Sequence, residues 1–301
     1  MKFPKKIKVI EVGPRDGLQS LNKWIPTQDK IEMINLLSCA NFPVIEVSSF
    51  AHPKVVPMLN DAEKVFEQIN RHNGIVYRAL SPNLKGTCRA IETGMVDEIL
   101  GLLTVSETYS LKNQNMTVDD AINEAGKSFI LCEKSDVNFV MAIGVAFYCP
   151  YDGVISDDKI LSVIQRIYNK GIRSVYLAAS TGMENPAKIN CVFKKIRDKF
   201  PNLDCGFHVH DRIGMAATNM FSALDAGATS VEGSICGIGG GIAMPHGTGD
   251  YGNLPTEDIV TMLNRSNIET QLDQKIVHET ATKIASLLKI NSNSRTNIQI
   301  K

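Results

Sequence analysis

An alternation between short, β-branched apolar runs and longer amphipathic stretches constrains the fold of this chain more than any other sequence feature. Eight such runs cover residues 7–13, 43–49, 74–80, 98–105, 138–147, 174–180, 204–210 and 229–237. Between them, apolar residues recur every three or four positions, as in 28–40, 157–171 and 187–200. That spacing is typical of an amphipathic helix. Strands that alternate with helices indicate a parallel β/α architecture.

Eight strand–helix units predict an α/β protein with a (β/α)8 TIM barrel. The alternative is a doubly wound open sheet, but such a sheet usually has fewer strands, and the chain lacks a GxGxxG turn after its first strand. We predict a single domain over residues 1–301, with the barrel over about 7–265 and a C-terminal helical extension over about 266–301. An additional helix is expected near 271–290.

Composition restricts the partners and the compartment. Lys and Arg number 32, as do Asp and Glu, so the formal net charge is zero, which argues against nucleic acid or an anionic membrane as a partner. No apolar run approaches the ~18 residues of a membrane span. The apolar part of the N-terminal segment is too short for a signal peptide. The seven scattered cysteines contain no CxxC pair, which favours reduced thiols. We therefore expect a soluble, cytoplasmic protein.

Two histidines at the end of the seventh predicted strand are candidate metal ligands. The active site of a (β/α)8 barrel lies at the carboxyl ends of its strands. His208 and His210 are two positions apart, so their side chains leave the same face of the strand. Asp16, just past the first strand, is the obvious acid to complete the set. Mixed nitrogen and oxygen ligands favour Mg²⁺ or Mn²⁺, with Zn²⁺ as an alternative.

Other strand ends carry polar residues that suit a binding site. Glu46 is a charge inside an apolar strand and needs a partner, for which Arg15 is the candidate. The alternative is an ion pair with a purely structural role. Ser48, Tyr151 and Ser180 follow the second, fifth and sixth strand segments and are candidate substrate-binding residues.

Several motifs together resemble the 3-hydroxy-3-methylglutaryl-CoA lyase family, within a wider group of metal-dependent barrel lyases and synthases. The matching pieces are VGPRDGLQ (12–19), VIEVSSFAHPKVVP (44–57), LSPNLKG (80–86), SETYSLKN (106–113), CPYDG (149–153), FHVHD (207–211) and GNLPTED (252–258). They occur in the family's order and cover roughly residues 8 to 260. The Asp211–Arg212 pair after the histidines resembles the lyases of this group, because the related synthases have Asn-Asp there.

The resemblance implies a divalent cation held by Asp16, His208, His210 and Asn253. It also implies that Arg15 stabilises negative charge on a thioester oxygen, with Gln19 nearby and Glu46 supporting the site. The implied reaction is retro-Claisen cleavage of a 3-hydroxy acyl-CoA, with HMG-CoA as the first substrate expected. The family further implies a homodimer.

Two departures from the family pattern concern functional positions. The loop thiol that acts as an acid in related lyases is replaced by Gly241, and an Asp at the end of the sixth strand is replaced by Ala179. We hypothesise that His246 takes the acid role, since imidazole titrates near neutral pH; Cys236 is the alternative. The glycine-rich segment 237–252 is expected to close over the barrel mouth.

Two alternative functions remain open at this stage. One is a related aldol or Claisen-type lyase or synthase with a different hydroxy acid or acyl-CoA, because a shared scaffold need not keep a shared substrate. The other is a catalytically silent homologue that binds a metal and a ligand.

Overall fold

Eight parallel strands close into a barrel in this computed structural model, which describes residues 2–21, 23–240 and 252–296. The barrel strands are β1 (Lys8–Glu11), β2 (Val44–Ser49), β3 (Val76–Ser81), β4 (Glu98–Thr104), β5 (Asn138–Gly144), β6 (Ser174–Ala179), β7 (Asp204–Val209) and β8 (Ser230–Gly233). Each strand pairs with its neighbours in chain order, and β8 pairs with β1 to close the ring. The predicted (β/α)8 barrel is confirmed, and the open doubly wound sheet is wrong.

Helices follow the strands around the outside of the barrel. They are α1 (Thr27–Cys39), α2 (Ala62–Gln68), α3 (Leu84–Glu92), α4 (Glu107–Gln114), α5 (Val118–Lys134), α6 (Asp157–Asn169), α7 (Pro186–Lys199), α8 (Ala216–Asp225), α9 (Thr256–Arg265) and α10 (Gln274–Leu288). Helix α10 falls within the stretch for which the sequence predicts an additional helix. The single-domain organisation over 1–301 stays a prediction. In the part of the chain that the structure describes, no helix has the length and apolar character needed to cross a membrane.

Local sequence explains where these helices begin and which face they bury. Ser156 precedes α6, and its side chain accepts a hydrogen bond from the backbone N–H of Lys159, which satisfies one of the unpaired donors of the first turn. The buried residues of α6 include Ile160, Val163 and Ile167, which lie three or four positions apart and so share one face. That face belongs to the main hydrophobic core, which explains the apolar periodicity of 157–171.

The barrel interior carries a buried chain of charges below the strand ends. Arg78 of β3 contacts Glu98 of β4 at 2.7 Å and Glu232 of β8 at 2.8 Å. Arg78 and Glu232 are 3% and 0% exposed. Buried charges are expensive unless they are paired, so this network fixes the relative position of strands that are distant in the sequence.

Candidate active site

A tight turn after β1 presents two charged side chains at the mouth of the barrel. The turn covers Gly13–Gly17, and the backbone N–H groups of Asp16 and Gly17 both donate to the carbonyl of Val12, at 2.7 and 3.4 Å. Glycine is required at position 17 because a Cβ there would lie 2.5 Å from Cγ1 of Ile238. The VGPRDG motif therefore folds into a compact turn packed against the segment that follows β8.

Arg15 is held between two carboxylates. Its Nε donates to Glu46 of β2, and its Nη1 donates to Oδ1 of Asp16 at 2.6 Å. Both glutamate and arginine are buried, which confirms the predicted pairing of Glu46 with Arg15. Burial alone would lower the pKa of Arg15, but Glu46 and Asp16 raise it above its usual range. The guanidinium stays charged and its orientation is fixed.

The two histidines at the end of β7 face each other and Asp16. Nε2 of His208 lies 3.0 Å from Nε2 of His210, and Nε2 of His210 lies 3.8 Å from Oδ2 of Asp16. Ligand atoms of the three residues all lie within 4.8 Å of one another, and all three residues are buried. They form a cluster that could hold a metal ion through imidazole nitrogen and carboxylate oxygen atoms.

Electrostatics favour the ionised form of Asp16. Burial would raise the pKa of this carboxyl, but the positive charge of Arg15 and contributions from His210 and His208 outweigh burial and lower the pKa to about 2. Asp16 is therefore a carboxylate at neutral pH, which is the form that binds a cation.

Asn253 joins this cluster from a distant part of the chain. An isolated antiparallel bridge pairs it with His210, and Leu254 donates its N–H to the carbonyl of Val209 at 3.1 Å. Nδ2 of Asn253 donates to Oδ2 of Asp16 at 2.7 Å. Its Oδ1 is buried and has no hydrogen-bond partner among the described residues. A buried amide oxygen without a partner is costly, and a divalent cation would satisfy it, so the donor set fits a metal.

Glu232 in β8 orients His208 from the side opposite the cluster. Its Oε2 lies 3.1 Å from Nδ1 of His208, and the same carboxyl also pairs with Arg78. A neutral His208 that donates its Nδ1–H to this carboxylate keeps a lone pair on Nε2, as is usual for metal-binding histidines. Glu232 is a candidate site residue that the sequence analysis missed, although a glutamate inside the apolar β8 segment was a usable signal.

A cavity of about 390 Å³ lies at the carboxyl ends of the strands, next to this cluster. Its polar lining among the described residues consists of Arg15, Asp16, Gln19, His52, Asn83, Thr104, Tyr109, Lys112, Asn113, Gln114, Tyr176, Ser180, His208 and His210. Apolar side chains such as Leu80, Leu102 and Ala178 form the rest. The mixture of an apolar wall and a few convergent polar groups is typical of a small-molecule site.

The four predicted substrate-binding residues are placed differently. Gln19 lines the cavity and donates to Oδ1 of Asp16 at 3.3 Å. Ser180 also lines it and accepts the N–H of Val145 at 3.0 Å. Ser48 is buried beyond a register shift in β2, and Tyr151 is 40% exposed with its ring 6.1 Å from that of Tyr109. Neither of these two is among the described residues that line the cavity.

The structure describes only one of the two residues proposed for the acid role. His246 and Gly241 lie outside the described residues, as does most of the glycine-rich segment. Cys236 is fully buried, and its thiol donates to the carbonyl of Ala281 in α10 at 3.3 Å. The hypothesis that Cys236 supplies the acid is therefore wrong, because its thiol faces an outer helix rather than the cavity. Ala179 is buried in the core, so a methyl group occupies the position of the missing carboxylate.

Sequence comparison finds related proteins that match most of the chain. Residues 6–284 match the family model described as HMGL-like. A hydroxymethylglutaryl-CoA lyase of Bacillus subtilis is 36% identical over 272 residues, covering 90% of each chain. The mitochondrial hydroxymethylglutaryl-CoA lyase of Gallus gallus is 33% identical over 293 residues, covering 97% of each.

Solved structures of related proteins superpose on nearly the whole chain. The Bacillus subtilis HMG-CoA lyase superposes with a TM-score of 0.93 at 34% identity, covering 99% of this chain and 98% of that one. An HMG-CoA lyase from Acinetobacter baumannii, in complex with coenzyme A and 3-methylmalate, has a TM-score of 0.90 at 33% identity, covering 98% of this chain and 95% of the other.

Proposed function

This chain belongs to the HMGL-like family and is a lyase with HMG-CoA lyase-like function, and we propose that it cleaves a carbon–carbon bond in a 3-hydroxy acyl-CoA with the help of Mg²⁺ or Mn²⁺. HMG-CoA is the first substrate to test, with acetyl-CoA and acetoacetate as products. The observation that carries the proposal is the convergence of Asp16, His208, His210 and the unsatisfied amide oxygen of Asn253 beside a charged Arg15.

The proposed reaction is a retro-Claisen cleavage. The tertiary hydroxyl loses its proton, its carbon becomes the ketone of acetoacetate, and the electron pair of the broken bond forms the enolate of the acetyl thioester. Protonation of the enolate carbon then gives acetyl-CoA, so one proton is lost and one is gained. A divalent cation, when bound, lowers the cost of forming the alkoxide.

Asp16, His208, His210 and Asn253 would hold the cation. Glu232 would keep His208 in the tautomer that leaves Nε2 free to bind. Burial of these side chains restricts their movement and so preorganises the proposed ligands. The family suggests a divalent metal, and the choice between Mg²⁺ and Mn²⁺ is part of the proposal.

Arg15 would stabilise the enolate oxygen. Its guanidinium lines the cavity, carries a permanent charge, and is prevented from rotating by Glu46 and Asp16. A fixed cation at a developing oxyanion contributes about 3–4 kcal/mol to transition-state stabilisation. Glu46 acts by positioning Arg15, and Gln19, Ser48, Tyr151 and Ser180 remain proposed contacts to the substrate.

The proton donor is proposed to be an imidazole. Burial raises the pKa of Tyr109 and of Tyr176 above the usual tyrosine range, so both are poor acids near neutral pH. His52 lines the cavity, and its Nδ1 accepts the backbone N–H of Lys54 at 3.2 Å, which leaves the proton of a neutral ring on Nε2. His52 is therefore proposed beside His246 as the acid.

Partners and compartment are proposed as follows. A coenzyme A thioester is the proposed ligand, because a structural neighbour binds coenzyme A. All seven cysteines are free thiols, which supports a reducing, cytoplasmic environment. A homodimer is proposed from the family resemblance.

The test is an assay of the purified protein with HMG-CoA and Mn²⁺ or Mg²⁺, measuring acetyl-CoA and acetoacetate. The CoA thioester of 3-methylmalate belongs in the same panel, because 3-methylmalate occupies a structural neighbour. Turnover of that thioester but not of HMG-CoA would favour a related lyase with another substrate. Binding of Mn²⁺ without turnover of any hydroxy acyl-CoA would favour the silent homologue.

A further inference from the structure

A buried glutamate behind the cavity joins two segments that are far apart in the sequence. Glu11, the last residue of β1, is 0% exposed and is not among the described residues that line the cavity. Its Oε1 accepts the backbone N–H of Gly13 at 2.7 Å and the backbone N–H of Ile235 at 2.9 Å. One oxygen atom thus satisfies two buried backbone donors.

One of these donors belongs to the turn that carries Asp16, and the other belongs to a turn next to the segment that carries Asn253. Gly13 begins the turn that ends at Gly17 and contains Asp16. Ile235 begins the short turn Ile235–Gly237 after β8. The residue before it, Ser234, donates its N–H to the carbonyl of Leu254 at 3.3 Å, so this turn is attached directly to the segment that contains Asn253.

A second buried carboxylate holds the next amide of the same turn. Oε2 of Glu257, in α9, accepts the N–H of Cys236 at 3.1 Å. Cys236 has a φ of 61°, a left-handed conformation that is uncommon for a residue other than glycine and persists only where its surroundings impose it. The two glutamates together fix a backbone conformation that hydrogen bonds of the barrel sheet do not provide.

We propose that Glu11 is a positioning residue for the proposed metal site: its carboxyl oxygen joins the turn that carries Asp16 to the turn after β8, which is itself hydrogen-bonded to the segment that carries Asn253. This inference rests on the proposed function, because it requires both residues to bind the ion. Loss of these two hydrogen bonds leaves two buried N–H groups unpaired and allows the proposed ligands Asp16 and Asn253 to move apart. Outer-shell contacts of this kind change metal affinity by about 10–100-fold.

The chemistry of the Glu11 carboxyl determines which substitutions preserve its two hydrogen bonds. Burial raises the pKa of Glu11 to about 8, so near neutral pH the carboxyl is largely protonated and offers one carbonyl oxygen. Glutamine offers the same oxygen at the same position. Aspartate is shorter by one methylene and cannot reach both donors, and alanine has no acceptor.

The experiment is calorimetric titration of the full-length protein with Mn²⁺, without substrate. Glu11→Gln should bind within about 3-fold of the wild type, whereas Glu11→Asp and Glu11→Ala should bind at least about 10-fold more weakly. If Glu11→Ala does not fold, Glu11→Asp carries the test. Asp61→Ala is the matched control, because it breaks a buried ion pair with Lys30 at 2.7 Å on the outside of the barrel and should leave Mn²⁺ affinity unchanged.

Three results would overturn the inference: Mn²⁺ binding by Glu11→Asp at wild-type affinity, equal weakening in Glu11→Gln and Glu11→Ala, or equal weakening in Asp61→Ala. Urea unfolding midpoints of every variant separate a loss of affinity from a loss of stability. Failure of the wild type itself to bind Mn²⁺ would overturn the metal part of the proposed function, and this inference with it.

Discussion

The side-chain amide of Asn253 is anchored on Asp16: Nδ2 donates to Oδ2 at 2.7 Å, while the amide oxygen stays buried without a partner among the described residues. The contact joins a turn after the first strand to a segment after the eighth. Because the nitrogen is engaged with the carboxylate, the amide plane is fixed and the oxygen is the atom left for a ligand.

Asn253→Ala should therefore weaken Mn²⁺ binding by about 10–100-fold, since it removes the proposed oxygen ligand and its hydrogen bond to Asp16. Calorimetric titration measures this. The matched control is Asn219→Ala, which removes another buried asparagine whose Nδ2 donates to the carbonyl of Glu184 at 2.9 Å. Wild-type Mn²⁺ affinity in Asn253→Ala would show that the amide oxygen is not a ligand.

Arg15→Lys should lower kcat by about 100- to 1,000-fold with a small effect on KM. Lysine keeps the charge but cannot donate to Glu46 and Asp16 with a rigid, planar group. Steady-state kinetics on the substrate identified in the assay panel test this. Arg89→Lys is the control, because Arg89 pairs with Glu63 at a partly exposed position. A kcat within a few-fold of the wild type would rule out the role proposed for Arg15.

His52→Gln and His246→Gln should separate the two candidate acids. The variant that lacks the acid should lose both about 100- to 10,000-fold in kcat and the wild-type shape of the pH–rate profile. The other variant should retain both. pH–rate profiles of the two variants and of the control His72→Gln, a half-buried position that is not in the cavity lining, distinguish them. Full activity and an unchanged profile in both would exclude an imidazole acid.

Turnover should resist thiol alkylation. Among the described residues, the cavity lining contains no cysteine, and the sequence from 241 to 251 contains none either. Iodoacetamide should modify the exposed Cys39 and Cys191 and leave more than about half of the activity. Mass spectrometry would identify the modified residues. Complete inactivation that coincides with modification of Cys149 or Cys236 would restore a thiol to the mechanism.

Stability should depend on pH through Glu11. Burial raises its pKa from 4.5 to about 8, so above about pH 4.5 the unfolded chain releases a proton that the folded protein retains. Its contribution to folding stability is therefore fully present at low pH and is lost as the pH rises toward 8. Between pH 5.5 and 8.5, Glu11→Gln should gain about 3 kcal/mol relative to the wild type in urea unfolding.

Glu257→Gln provides the comparison for that measurement. Burial raises the pKa of Glu257 to about 7, so the relative gain over the same pH range should be smaller, about 2 kcal/mol. A constant difference between wild type and Glu11→Gln across this range would show that Glu11 is ionised throughout it.

Much of the fold and part of the site could be predicted from the sequence because both depend on local spacing. The eight apolar runs predicted the eight strands, since a strand buried in a parallel barrel is apolar along its length. The two-residue spacing of His208 and His210 placed both rings on one face of β7. Glu46 is a charge inside an apolar strand, and an unpaired buried charge is too costly to retain. Its position therefore predicted an ion pair, with Arg15 as the candidate partner.

Other features of the site depend on contacts between segments that the sequence does not relate. No local pattern says that Glu232 of β8 orients His208, or that one oxygen of Glu11 reaches both Gly13 and Ile235. Cys236 also lies near a strand end, where a catalytic acid would be expected. However, its left-handed backbone and its contact with Ala281 direct the thiol outward.

The sequence by itself therefore determined the barrel, the family and the residue types of the candidate metal site, because periodicity and motif order are properties of the chain. Only the tertiary structure decided which of those residues meet. It brings Asp16, His208 and Asn253 together by closing β8 against β1, and the direction of each side chain follows from the hydrogen bonds that this closure makes.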